Sequence, residues 1–305
     1  MLKATVGKKP TTSFRTFIGV GMALCHLTMS ADARADDNTI RWQMPGNPPV
    51  TITDGPDKGQ GYADVFLRYF IERAPEYNSV IERASLARVS GLMKQGEHVC
   101  QPSLLKTVER EAYMEFSDPV EFVLPYYIVM RSDRTARLKA YRDADGAIDI
   151  ARLMHDLSLT TVRQEMRGYP PVVLSAFTAA AGQKNILQTS ADDVGPFSQL
   201  ASGWVDYIIA YPDEVYWFAR HLKLPTSIKF VYFPIAGHPK YTIGYAACTK
   251  GAWGRKIVKR VNEIVAKAGR RPPWIDAEAR LLDPEAAKRY EEVYARYSPF
   301  RRQAD

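Results

Sequence analysis

The 305-residue chain is 46% hydrophobic and 25% charged, the proportions of a globular protein; they exclude a generally disordered chain and allow one or two domains. Its formal charge is +7, but the first 35 residues hold Lys3, Lys8, Lys9, Arg15 and Arg34 against Asp32, a net +4, so the remainder carries +3. A mild positive balance fits a small anionic ligand. With no block of Lys/Arg interleaved with aromatics, it does not fit nucleic acid.

The N-terminal segment has the order of a cleaved secretory signal. A basic leader precedes the apolar run FIGVGMALCHLTM (17–29), then small residues alternate through Ala31, Ala33 and Ala35. The run is short for a bilayer span. Bulky Leu24 before Cys25 argues against a lipoprotein site. Export with cleavage before Asp36 is expected, which places the rest of the chain in the periplasm.

TIRWQM (39–44) reads as a first strand, broken by Pro45-Gly-Asn-Pro-Pro49. Gly59-Gln-Gly61 opens a helix whose Tyr62, Val65, Phe66, Tyr69 and Phe70 recur at helical spacing, with Asp64 at the favourable dipole end. This G-x-G lacks the third glycine and the downstream acid of a dinucleotide fingerprint, so its glycines serve a tight turn. A helix over 84–95 ends at Gly96 and is followed by a strand through Val99. The order helix, glycine, strand recurs over 193–210 with Gly203, which suggests two similar α/β lobes. Between them FVLPYYIVM (122–130) is a buried-strand run interrupted by Pro125, a residue that marks a crossover. Residues 157–162 read as a strand, and Pro170-Pro171 opens a helix to Ala181, with Gly168 and Tyr169 at its N-terminal end, where exposed N–H groups favour an anion. IKFVYF (228–233) and YTIGYAAC (241–248) are β-rich. Helices follow over 254–268 and after the cap Asp283-Pro284.

Beyond the leader only Cys100 and Cys248 remain, with no His or Cys at ligand spacing, so no metal or cofactor is expected. In an oxidising compartment the pair reads as a disulfide, the other reading being two separately buried thiols. A bond between them would bring the end of the chain back beside its beginning.

One stretch, CQPSLLKTVEREAYMEFSDP (100–119), carries a fairly specific pattern: Thr107-x-Glu109-Arg110 followed by Phe116-Ser117-Asp118-Pro119. With Pro48-Pro49, Gly59-x-Gly61-x-x-Asp64 and Gly96, it resembles the family 3 extracellular solute-binding proteins of ABC uptake systems, the polar amino-acid-binding type. The resemblance covers nearly everything after Asp36. It implies an α/β, periplasmic binding protein-like type II fold, with two α/β lobes joined by a two-strand hinge: residues 36–122 and 244–305 form lobe 1, and 123–243 lobe 2. It further implies a monomer that captures a small organic anion and hands it to a membrane permease. The arginine of the T-x-E-R pattern, Arg110, would bind the ligand carboxylate, since a guanidinium fork fits a carboxylate bidentately. Ser103 would line the site, and the second lobe would contribute Arg167, Gly168 and Tyr169.

The chain departs from that family where an amino group would be bound. Tyr211 stands at the position of the expected acid, the strand acid near Gly96 is missing, Leu105 replaces a serine, and Asn47 replaces a stacking aromatic. The carboxylate end of the site is therefore expected to persist while the amino end is rebuilt, with Trp42, Tyr62, Tyr126, Tyr169, Tyr211 and Trp217 available as apolar walls and Arg88 able to face the cleft. Two other readings remain. One is a sensory module acting on a membrane partner. The other is an enzyme resembling the cyclohexadienyl dehydratases, with His98, Glu109 and Glu111 as acids or bases, although no G-x-S-x-G, H-E-x-x-H or Cys–His spacing supports catalysis.

Overall fold

Alternation along TIRWQM buries Ile40 and Trp42 completely, and this run is strand β1 (Thr39–Met44) of the computed structural model, which describes residues 37–190 and 194–302. The leader read over residues 1–35 lies outside the described residues. Helix α1 (Tyr62–Arg73) starts where predicted. The Asp64 carboxylate accepts from the backbone N–H of Gly61 (3.1 Å) and Ile52 (2.8 Å), which satisfies the helix end and ties down the preceding loop. Burial pushes this carboxyl up to about 6 against those two hydrogen bonds. Strand β2 (Asn78–Arg83), helix α2 (Leu86–Lys94), strand β3 (Val99–Leu104), the single turn α3 (Val108–Glu111) and the long strand β4 (Met114–Val123) follow.

Beyond Pro125 come β5 (Tyr127–Arg131), α4 (Ile150–Met154), β6 (Thr161–Gln164), α5 (Pro171–Ala179), β7 (Ile186–Thr189), α6 (Gly195–Ser202), β8 (Tyr207–Ala210), α7 (Pro212–His221) and β9 (Phe230–Pro234). The strand read over 157–162 begins only at Thr161. The Asp156 carboxylate and carbonyl accept from the N–H groups of Ser158 and Leu159, closing a turn that uses the first half of that run. The return is made by β10 (Thr242–Thr249), α8 (Ala252–Ala266), α9 (Pro273–Ala279) and α10 (Pro284–Tyr297), whose cap Asp283 accepts from Glu285 and Ala286 N–H.

Strands order as β2-β1-β3-β10-β4 in one sheet and β8-β5-β9 in another, with β6-β7 as a separate parallel pair. In the first sheet β1 is parallel to β2 and β3, whereas β10 runs antiparallel to both β3 and β4. Its core joins Ile40, Trp42, Phe66, Phe70 and Phe122 to Ile257, Val261, Trp274 and Tyr290, the two ends of the sequence in one apolar cluster. The second sheet packs Ile128, Met130, Tyr207 and Ile209 against Leu153, Val173 and Phe177 of the middle of the chain. The chain passes between the sheets twice, over 124–126 after β4 and over 235–241 before β10. The two passages lie side by side, because β4 pairs with β10 and β5 with β9.

Cys100 and Cys248 sit directly opposite each other on β3 and β10, both fully buried, and are disulfide-bonded across 148 residues of chain.

Candidate functional site

Where the two α/β bodies face each other they line a small inner cavity of about 90 Å³ and, adjoining it, a groove of about 800 Å³. Arg110, Leu105, Arg167, Gly168, Thr242 and Ile243 line both, so they form the neck between them. The sequence-predicted residues divide sharply when placed on this frame.

Arg110 stands at the neck on α3, whose first turn is capped by Thr107 Oγ1 accepting from Arg110 N at 3.3 Å. The residue is only 7% exposed, and among the described residues its guanidinium makes no ion pair. Its Nη1 donates to Leu105 O at 2.7 Å and its Nη2 donates to Met166 O at 3.0 Å, a carbonyl of the opposite body. Burial pulls this guanidinium below its ordinary value while leaving it charged. A charged, buried fork held by two neutral carbonyls is a seat for an anion. Gly168 makes the approach possible: a Cβ there would lie 2.9 Å from Arg110 Nη1 and 3.1 Å from Leu105 Cβ.

Ser103 lines the inner cavity and donates to Glu121 Oε2 at 2.6 Å. Tyr211 also lines it, stacked on Tyr126 with ring centroids 3.8 Å apart. Tyr169 borders only the outer groove, with its ring against Tyr126 and Phe177 and its hydroxyl accepting from Gln164 N.

Two expectations are corrected, and Arg167 is in place but paired. It reaches the neck with Nε donating to Tyr126 Oη (2.8 Å), one N–H of Nη1 to Gln164 Oε1 (3.0 Å) and one N–H of Nη2 to Glu214 Oε2 (2.7 Å). Burial opposes its charge, yet the Glu214 carboxylate and the neighbouring tyrosines hold it well above its ordinary value. It is an internal ion pair of the second body. Trp42 is fully buried in the first core, edge-on to Phe70 at 5.2 Å with Nε1 donating to Ser79 Oγ, because its strand position points away from the cleft. Arg88 is exposed on α2 and lines neither space, since Val89 and Met93 are the face of that helix that packs inward. Of the residues raised as acids or bases, Glu109 and Glu111 pair with Lys94 and Lys106 at the rim of the outer groove, and His98 stacks on Trp253 at 4.4 Å.

The residue missed by sequence reasoning is Glu121, 4% exposed, on β4 in the inner cavity wall. Burial pushes its carboxyl up to about 8, further raised by Asp213 and held back by the Ser103 hydrogen bond. Asp213, fully enclosed, accepts from Tyr62 Oη at 3.2 Å, and Glu278 accepts from Tyr290 Oη at 3.4 Å; burial raises both carboxyls. The available signal was one acid inside an otherwise apolar run, VEFVLPYYIVM.

These buried acids set the sign of a pH dependence. An unfolded glutamate titrates near ~4.3, so between that value and the folded one the native state holds a proton the unfolded state has released. The resulting stability is complete at acid pH and is lost as pH rises through about 8, the folded value of Glu121. Thermal midpoints measured from about pH 5 to about pH 9 are expected to fall, and Glu121→Gln is expected to flatten the fall. A midpoint that stays level over this range would show that the buried acids are ionised in the native state.

No protein-family model and no curated protein sequence matches the chain. Its structure is similar to a putative L-cystine ABC transporter protein from Listeria monocytogenes, with TM-score 0.60 and 15% identity over 81% of this chain and 96% of that one. It is also similar to the periplasmic VFT2 domain of BvgS from Bordetella pertussis (0.55, 15%, 83% and 94%). A histidine kinase sensor domain with similarity to periplasmic binding proteins aligns at 0.54 and 16% identity over 86% of this chain and 96% of that one. Two α/β bodies, two adjacent crossings and a buried arginine at the cleft thus make a Venus flytrap, the type II periplasmic binding protein fold.

Proposed function

We propose that the chain is a periplasmic solute-binding protein that captures a small organic anion between its lobes and delivers it to a membrane permease. Residues 36–122 and 244–305 act as one jaw and 123–243 as the other. The observation that carries the reading is Arg110: buried, free of any carboxylate among the described residues, and held by a carbonyl from each side of the cleft. A ligand carboxylate replaces those carbonyls with a charge-assisted fork, and its contacts to both jaws favour the closed form. Ser103 and Gly168 border the same seat, and Tyr211 with Tyr126 walls it. Solved structures of similar fold include an arginine-binding protein and an extracellular-binding protein of an amino-acid ABC transporter, which supports reading the chain as a binder.

The test is a thermal-shift screen of the purified chain against amino acids, aromatic acids, dicarboxylates and short peptides, since binding to the folded state alone raises the midpoint. Calorimetry on the responding ligand should then show Arg110→Ala weakening binding by about 2–4 kcal/mol, roughly 30- to 700-fold in Kd. Unchanged affinity removes the assignment.

The similarity to a histidine kinase sensor domain favours a second reading, in which the loaded chain signals to a membrane partner in trans. A reconstituted permease whose ATP hydrolysis responds to the loaded chain supports delivery. Ligand-dependent association with a kinase ectodomain supports sensing.

A further inference from the structure

A third cavity, of about 390 Å³, shares no lining residue with the inner cavity or the groove of the cleft. Its size falls within the ~300–1,000 Å³ of small-molecule sites. Its walls come from both bodies. Val215 and Ala219 of α7 and Phe230 and Tyr232 of β9 meet Arg289 of α10 together with Asp283 and Glu285 at that helix's start. Tyr232 is the joint. Its side chain packs against the apolar cluster that joins the two chain ends and against the cluster of Phe197, Ile208 and Phe218 in the second body, and its hydroxyl donates to Asp283 Oδ2 at 2.6 Å.

Arg289 is the group in this cavity that the fold leaves unanswered. A guanidinium carries five N–H donors and stays charged at any ordinary pH. Arg289 Nε and Nη2 are buried without a hydrogen-bond partner, and no carboxylate stands within ion-pair reach of the side chain among the described residues. Its neighbours are aromatic rings: the guanidinium carbon lies 5.1 Å from the ring centroid of Tyr127 and 5.7 Å from that of Tyr232. Rings ease the desolvation of a cation but give its N–H fork no oxygen to bond. The two acids of the wall do not supply one. Asp283 is spent, with Oδ2 on the Tyr232 hydroxyl and Oδ1 accepting from Glu285 N (2.9 Å) and Ala286 N (3.0 Å). Glu285, one helical turn before Arg289, is exposed and makes no ion pair.

We propose that this cavity is a second binding site, for a small monocarboxylate with an apolar body: the carboxylate pairs with Arg289 and the body lies on Val215, Ala219 and Phe230. One charge suits the site better than two, because the Glu285 and Asp283 carboxylates repel a dianion such as phosphate at close range. The site stands independently of the Arg110 reading and holds whatever the cleft takes. Because its walls belong to both bodies, an occupant makes all its contacts only when the bodies stand as they do here. Binding therefore favours this arrangement and the shape of the cleft that goes with it.

The experiment titrates the full chain with 4-fluorobenzoate, read by fluorine NMR, with inorganic phosphate and benzylamine as competitors and amide hydrogen exchange as a map. The expected result is saturable binding that survives in Arg110→Ala and weakens about tenfold or more in Arg289→Met, which keeps an unbranched apolar stem. Ala219→Leu extends an exposed helix position into the cavity and should weaken the probe as much. That variant keeps Arg289 and its ring contacts, and its ligand-free thermal midpoint verifies the fold. Glu285→Gln, which removes a like charge, should tighten the probe about twofold. Phosphate and benzylamine should compete poorly, and exchange should slow in β9 and in the first turns of α10 together. Binding that Arg110→Ala abolishes and Arg289→Met leaves unchanged overturns the site and puts the carboxylate in the cleft. Benzylamine competing as well as the carboxylate, or no saturation by about 10 mM probe, overturns it too. Protection confined to one of the two elements overturns the bridging of the bodies.

Discussion

Glu214→Ala is expected to cost about 3–5 kcal/mol of stability, the loss that follows when one partner of a buried ion pair is removed. The Glu214 side chain is 1% exposed and that of Arg167 11%, with Nη2 and Oε2 2.7 Å apart. The same Oε2 accepts from Tyr211 N at 2.9 Å, so the carboxylate also closes the first turn of α7. Truncation leaves a permanently charged guanidinium inside the protein with only Tyr126 and Gln164 as partners. In urea the midpoint should fall with an unchanged slope, and the thermal midpoint should fall by roughly 6–20 °C. Glu214→Gln keeps an acceptor and should lose less. Replacing both residues by apolar ones of similar volume should recover most of the loss, because the desolvation cost of both charges vanishes together. A Glu214→Ala variant as stable as the parent would mean that Arg167 reaches solvent.

Removing the Cys100–Cys248 bond is the second large effect. The bond closes a loop of 148 residues that contains the whole second body, and the chain-entropy relation gives an upper value of about 5 kcal/mol for a loop of that length. A Cys100→Ala/Cys248→Ala chain should therefore lose about 2–5 kcal/mol in urea relative to the oxidised parent. Treating the parent with reductant under unfolding conditions should reproduce the loss. Coincident transitions for the oxidised and reduced chains would show that the antiparallel pairing of β3 with β10 holds the returning segment unaided.

Much of the architecture was legible because it is local. TIRWQM alternates at the strand period, the Tyr62–Phe70 stripe recurs at the helical one, and Asp283-Pro284 is a helix start in any context. Pro125 was readable as a break, and the crossing between the sheets occurs there. The polar edge strand NSVIER was not readable, since it buries little and is held by backbone pairing to β1. The site was half legible. Arg110 and Gly168 were reachable from their motif and helix end, whereas Arg167 looked the same in sequence and is already neutralised by a glutamate 47 residues away. Trp42 and Arg88 failed for a related reason: spacing says which face a residue occupies, and only packing says what that face meets.

By itself the sequence determined two similar α/β lobes, because strand and helix periods are properties of neighbours along the chain, while the resemblance implied how the chain divides between them and an arginine at the cleft. The tertiary structure alone decided the charges of the cleft. It placed Arg110 between two carbonyls, spent Arg167 on Glu214, and set Glu121 unpaired beside Ser103 over Gly244. The physical reason is that a charge is defined by what surrounds it. Desolvation and pairing are set by groups far apart in sequence, and they keep a proton on an inconspicuous acid in an apolar strand that lines the cavity.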